Sequence, residues 1–434
     1  MKRSLLFISL IISVGVSAQD SLLTAQQVLD MAIQNNLRVQ IARADIDIAK
    51  INNNWGNAGR WPVITAGISN TEAFTNINQK LTNGNEIVSK GATNNILSAN
   101  LSVNWRLYNG MRVVATKERF KELEKIGEIA FRQEVTQLSY DVLIVYYNLV
   151  RLHQQVQATS GIIALSEERF KIAETRFNVG SAAKTDMLQA EIDLNAQKIV
   201  LENLQQQIRQ TKIILNNLLK REPEQPVDAA DTAVLIQPIS LKDYTARADT
   251  QNFQLLLAQR DRAVLLQDRR IINAQRLPVL SLTSVTNYNR NVASAGFFLT
   301  NLTYGPNIGI GLAVPIFNSN IVKTQLRVNE VQLKQQQLQT DLLRTQIQSD
   351  LHVAFQEYLT ALRVAEVEKK NVDIAEENNF IATERFRKLQ SNSIELRQAQ
   401  LSLTDARDRY INAQYRAKLA ATNIQLLAGE VMIY

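Results

Sequence analysis

The sequence predicts a mainly α protein with a β-barrel segment, built from one helix-and-strand unit that occurs twice. Three observations predict it: an internal repeat, apolar heptad stripes of unusual length, and segments in which apolar and polar residues alternate. The elements follow in chain order.

The first residues, MKRSLLFISLIISVGVSAQD, place Lys2 and Arg3 before an apolar run from Leu5 to Val16 and close on small residues. This is the pattern of a secretory signal peptide over 1–18, cleaved after Ala18. The exported chain has no Cys, so packing or assembly must stabilise it without disulfides. No other stretch reaches about 18 apolar residues, so no transmembrane helix is expected. Pro and aromatic residues are sparse, while Gln, Asn, Ala and Leu are plentiful, which points to long helices. The formal charge of +7 is spread among interleaved acids and bases. That describes solvated helix faces and gives no nucleic-acid footprint.

The segment NLRVQIARADIDIAKINNNWGNAGRWPVIT recurs as NFQLLLAQRDRAVLLQDRRIINAQRLPVLS, with Asn36, Ala42, Asp45, Arg60 and Pro62 matched by Asn252, Ala258, Asp261, Arg276 and Pro278. Further on, VNWRLYNG aligns with AVPIFNSN, and TRFNVGSAAKTDMLQAE with ERFRKLQSNSIELRQAQ. The first repeat then spans 19–220 and the second 241–434, joined by the Pro-containing linker 221–240. Each repeat opens with a helix of about 25 residues, from Ala25 and from Leu241. Strands follow, then a helix far longer than the globular mean, Met111 to Asn178 and Ile321 to Arg387.

In the first long helix, spacings of three and four visit Leu138, Val142, Val145, Leu149, Leu152, Val156, Thr159, Ile163, Ser166, Phe170, Ala173 and Phe177. Such a stripe argues coiled coil, roughly 100 Å long at 1.5 Å per residue. Its end, NVGSAAKTD, breaks the pattern. Gly180 is a helix stop, because Gly enters the left-handed conformation without a Cβ clash. Asp186, with Gln189 three residues on, reads as the N-cap of a returning helix. The segment is therefore the tip of a helical hairpin.

Between the helices, Leu97, Ala99, Leu101, Val103, Trp105 and Leu107 alternate with Ser98, Asn100, Ser102, Asn104 and Arg106. Ile308, Ile310, Leu312, Val314 and Ile316 alternate in the same way with small and polar residues. About ten residues of this pattern suit a transmembrane strand with Leu101, Val103, Trp105, Ile310, Leu312 and Val314 facing lipid. A half-buried soluble sheet gives the same alternation. Trp61, Trp105 and Tyr108 stand where strands meet helices, as interfacial aromatics do, and export makes an outer membrane reachable. With the partner strands from Val63 and Val279 there are four per chain. Four strands cannot close a barrel, so the chain must oligomerise.

These features together resemble the TolC-like outer-membrane efflux protein family over essentially the whole mature chain. The resemblance rests on the duplicated unit, RWPVI and RLPVL at the first strands, the VPIFNSN junction and the tip RFNVGSAAKTDMLQAE. It implies a homotrimer with a twelve-stranded barrel in outer-membrane lipid, continued by a helical tube across the periplasm. It also implies a passive duct exporting small toxic solutes, working with a periplasmic adaptor protein and an inner-membrane transporter. The first tip, with Val179, Gly180, Asp186 and Leu188, would dock the adaptor. The family's acidic entrance ring falls on Glu395, and a second family acid is replaced here by Gln398. Type I protein secretion would use the same fold, and a secreted coiled-coil scaffold without a pore is the reading from another class. A scaffold has no need of the strand alternation.

The residues offer no sign of an enzyme or a cofactor. His153 and His352 lack a second ligand at metal spacing, and no Gly-rich phosphate loop or nucleophile–base order occurs. Asp45, Asp47, Asp261 and Asp268 lie on helices beside Lys or Arg, which suggests solvated ion pairs.

Overall fold

The computed structural model describes residues 22–231, 238–296 and 298–430, so the expected signal peptide at 1–18 lies outside the described residues. In chain order the elements are β1 (Leu22–Leu23), α1 (Ala25–Asn35), α2 (Leu37–Asn52), β2 (Val63–Lys80), β3 (Glu86–Asn109), α3 (Arg112–Asn178) and α4 (Lys184–Leu218). After β4 (Asp228–Ala229) the series runs through α5 (Leu241–Gln251), α6 (Phe253–Ala274), β5 (Val279–Ala293), β6 (Thr300–Ala313), α7 (Ile321–Arg387) and α8 (Ser393–Leu427). The two long helices, α3 and α7, have 67 residues each, as the heptad stripe requires. Two compact units divide the chain, and each draws on both repeats.

One unit contains Phe131–Phe253 with the flanking segments up to Ala42 and from Arg344. Its core follows the predicted stripe: Leu138, Val142, Leu149 and Leu152 are buried, and so are the polar members Thr159 and Ser166. Val28, Leu29 and Ala32 of α1 pack into the same cluster. Fully burying each large aliphatic side chain contributes about 1.5–3 kcal/mol. At the start of α1, Thr24 and Gln27 form a reciprocal capping box.

The opening helix of each repeat is not continuous, contrary to the 25-residue expectation. It breaks at Asn36 and at Asn252, both buried, with extended backbone at each position. The Asn36 amide donates to the carbonyl of Leu218, and the Asn252 amide to that of Leu427, each at 2.8 Å. Those carbonyls belong to the last residues of α4 and α8, where helices leave acceptors unpaired. One hydrogen bond thus breaks one helix and closes another, in both repeats. The Asn36 side chain also accepts from the backbone N–H of Arg38 and so starts α2.

The second unit comprises Arg43–Ala130 and Gln254–Leu343. It holds an antiparallel sheet of order β2-β3-β5-β6, in which β2 and β6 are the edges. β6 ends at Ala313, so Val314 and Ile316 fall outside the strand predicted to contain them. Pro315 explains the correction, since it lacks an N–H and restricts the residue before it.

Candidate functional site

The register sorts the sheet into two chemically distinct faces. Ala66 pairs with Leu101 and Ile64 with Val103, while Trp105 pairs with Leu282 and Leu282 in turn with Ile310. With Leu280 opposite Leu312, these residues lie on one face. Ile68, Ile310 and Leu312 are 78%, 71% and 66% exposed, so nothing among the described residues covers those positions. The other face carries Asn100, Ser102, Asn104, Ser281, Thr283 and Gly309. On it the hydroxyls of Thr65 and Ser102 meet at 2.6 Å. An apolar surface of this size is costly in water, and both sheet edges leave ladder groups unpaired.

The first hairpin tip places Val179 and Gly180 just after α3, and Asp186 and Leu188 in the opening turns of α4. Gly180 has φ +75°, its N–H donates to Phe177, and the Ser181 N–H reaches back to Arg176. This is a Schellman ending, in which two otherwise orphaned carbonyls are satisfied. Val179 and Leu188 are exposed. Asp186 is not the N-cap. Ala183 holds that position without a side-chain hydrogen bond, and Asp186 stands in the first turn of α4. An acid favours the positive end of a helix from either position, so residue type did not separate them.

The second tip repeats this ending with Leu389 at φ +61° and the Gln390 N–H donating to Arg385. Here Asn392 caps α8 by accepting from the Glu395 N–H. The Glu395 carboxylate accepts from Arg385 at 2.6 Å and from Ser391 at 2.8 Å, whereas Gln398 is exposed. Neighbouring contacts join the two hairpins: Arg397 reaches Asp193 at 3.0 Å, Arg387 pairs with Glu168, and Arg176 lies over the Phe386 ring. Arg169, almost fully buried, also meets Asp193, at 2.5 Å. Burial pushes its pKa down, against the pull of that carboxylate. Sequence reasoning missed this pair. Arg169 stands beside the stripe, between Ser166 and Phe170, where residue type gives no sign of burial.

The linker between repeats is pinned as well. β4 pairs with β1 in parallel, and Asp228 accepts from His153 at 2.5 Å and from Lys212 at 2.8 Å. Burial opposes ionisation of Asp228, but those two partners outweigh it and bring its pKa to about 2. His352 lies exposed on α7. Of the four helix carboxylates expected in ion pairs, Asp268 binds Arg119 at 2.8 Å. Asp45, Asp47 and Asp261 have no ion pair among the described residues, and burial raises the pKa of Asp261. Among the described residues no group of three or more carboxylates and histidines is placed to hold a metal ion.

The profile of the outer membrane efflux protein family matches residues 28–219 and 246–430. The chain belongs to that family. It is 19% identical over 339 residues to the outer membrane efflux protein BepC of Brucella suis, covering 75% of this chain and 67% of that protein. Its fold is similar to a membrane protein from Pseudomonas aeruginosa, with a TM-score of 0.77, 17% identity, and coverage of 94% and 92% of the two chains. It is also similar to the outer membrane protein VceC of Vibrio cholerae, with a TM-score of 0.74, 15% identity, and coverage of 93% and 96%. The chain is therefore an outer-membrane channel component of efflux type, mainly helical with a β segment, that extends into the periplasm. Family members and structural neighbours are channels. Proteins of the family are trimeric and work with an adaptor and an inner-membrane pump.

Proposed function

We propose that three copies of this chain close a twelve-stranded barrel and export small toxic solutes passively, driven by an inner-membrane pump. The observation that carries the reading is the open sheet with one exposed apolar face and two unpaired edges. In lipid such edges are untenable, and an eight-stranded barrel would be filled by side chains, so a conduit needs more strands. On this reading Leu101, Val103, Trp105, Ile310 and Leu312 face lipid, and Asn100, Asn104 and Gly309 face the lumen. Val179, Gly180, Asp186 and Leu188 dock a periplasmic adaptor. Glu395 and Gln398 stand at the entrance, with Glu395 already held by Arg385 rather than bare.

The repeat boundaries 19–220 and 241–434, joined by 221–240, belong to the same proposal. The matching breaks at Asn36 and Asn252 support them. The test is cell fractionation combined with dye accumulation in a strain lacking the gene. Heat-modifiable trimers in the outer membrane and a several-fold rise in retained dye are expected. Loss of a secreted polypeptide with unchanged dye retention would instead assign the duct to protein secretion.

A further inference from the structure

Three segments around the points where helices become strands contain no acid, although Glu118 and Glu124 of α3 lie beside Lys117. Residues 48–71, 87–117 and 269–329 contain no Asp or Glu, yet they carry Arg60, Lys117 and Arg276 near those points. Arg60 and Arg276 occupy the same place in the two repeats, each two residues before the proline that precedes a strand. Both are exposed, and among the described residues no carboxylate or hydrogen-bond acceptor engages either guanidinium.

Arg60 is nevertheless held in place. Its guanidinium carbon lies 4.8 Å from the ring centre of Trp55 and 5.8 Å from that of Trp61. Lys117 approaches Trp55 from 5.9 Å and donates to Asn53, whose amide in turn donates to Glu124. The indole N–H of Trp105, on the apolar face of the sheet, donates to the Arg60 carbonyl at 2.9 Å. An arginine stacked on indoles at the border of an apolar band keeps its donors available. A guanidinium matches a phosphate oxygen pair geometrically, while Trp rings sit at headgroup level in bilayers.

We propose that Arg60 and Arg276 bind the phosphate headgroups of anionic phospholipids at the helix-side rim of the barrel. The inference rests on the apolar face being lipid-facing. With no carboxylate on either guanidinium, the two arginines attract anionic lipid. Each arginine contributes about 1 kcal/mol, or about fivefold in occupancy.

Native mass spectrometry of the detergent-purified protein, equilibrated with phosphatidylglycerol or with zwitterionic phosphatidylethanolamine, reads this directly. The unaltered protein should retain phosphatidylglycerol in preference. Arg60→Gln should lower that retention about fivefold, and Arg60→Gln with Arg276→Gln further still, while Arg60→Lys keeps part of it. Equal retention of the two lipids, or unchanged retention in the double variant, overturns the proposal. Planar-bilayer conductance separates the two possible failures. A conducting protein without lipid preference overturns the headgroup site alone, whereas a protein that neither conducts nor oligomerises overturns the barrel reading beneath it.

Discussion

Gly180 and Leu389 turn the chain through the same left-handed corner with different side chains. Three further left-handed pairs recur at the same spacing: Gly110 with Ser319, Met111 with Asn320, and Lys220 with Gly429. The duplicated backbone has kept its corners where the residues diverged. A non-Gly residue in that conformation costs roughly 1–2 kcal/mol. Nothing lies within 4 Å of a Cβ added at Gly180, so Gly180→Val should incur backbone strain alone. Its trimers should form yet lose adaptor cross-linking and drug resistance, and normal resistance would remove the docking claim. Leu389→Gly should relieve strain, with a net gain below about 1 kcal/mol because Gly also loosens the unfolded chain. A thermal unfolding midpoint that falls would contradict this.

Glu395 poses a different question at this scale. Its bond to Arg385 is half exposed, so breaking it should change stability by less than about 1 kcal/mol. If the pair stands at the entrance, Glu395→Gln leaves three bare arginines around the axis and lowers cation selectivity. Arg385→Gln should shift selectivity the opposite way. Single-channel recording decides: unchanged selectivity in both variants, with trimers intact, would assign Glu395 to the tip of α8 alone.

Among the elements, the strands carry the most direct consequence. Leu101 and Leu312 lie on the apolar face and Asn100 on the other. A charge at mid-bilayer costs about 2–4 kcal/mol, so Leu101→Arg and Leu312→Arg should block insertion while Asn100→Arg is tolerated. Equal assembly of all three, judged by membrane fractionation, would show the faces to be misassigned. The linker yields a prediction in acid. Because the folded pKa of Asp228 is depressed from 3.8 to about 2, its contribution to stability is fully present above about pH 4 and fades as pH falls toward 2. Asp228→Asn should therefore speed proteolysis near the linker at pH 7, and the difference from the unaltered chain should shrink below pH 4.

These elements also show why some features were legible and others were not. The ends of α3 and α7 were visible because a heptad stripe is a local pattern of residue types. The hairpin tip was visible because Gly180 serves a backbone need that few residues meet. The breaks at Asn36 and Asn252 depend on carbonyls 182 and 175 residues away, which no local spacing reveals. Arg169 and Asp193 likewise find one another only across two packed helices. Strand alternation was legible through Leu312, but it continues formally through Val314, and Pro315 stops the pairing that alternation alone cannot see.

At the scale of the whole molecule, the central claim is that one chain supplies a third of a barrel. The edge of β2 in one copy should pair with the edge of β6 in the next, since the antiparallel order continues across that seam. The absence of native Cys makes this directly measurable. Single cysteines along β2, from Ile64 to Ser69, would be combined one at a time with cysteines along β6, from Tyr304 to Ile310. Each pair would be oxidised in isolated outer membranes and read by denaturing electrophoresis. The account predicts that pairs in one register give covalent dimers and a closed trimer, while offset pairs give neither. Monomers at every register, with the protein present in the outer membrane, would contradict it.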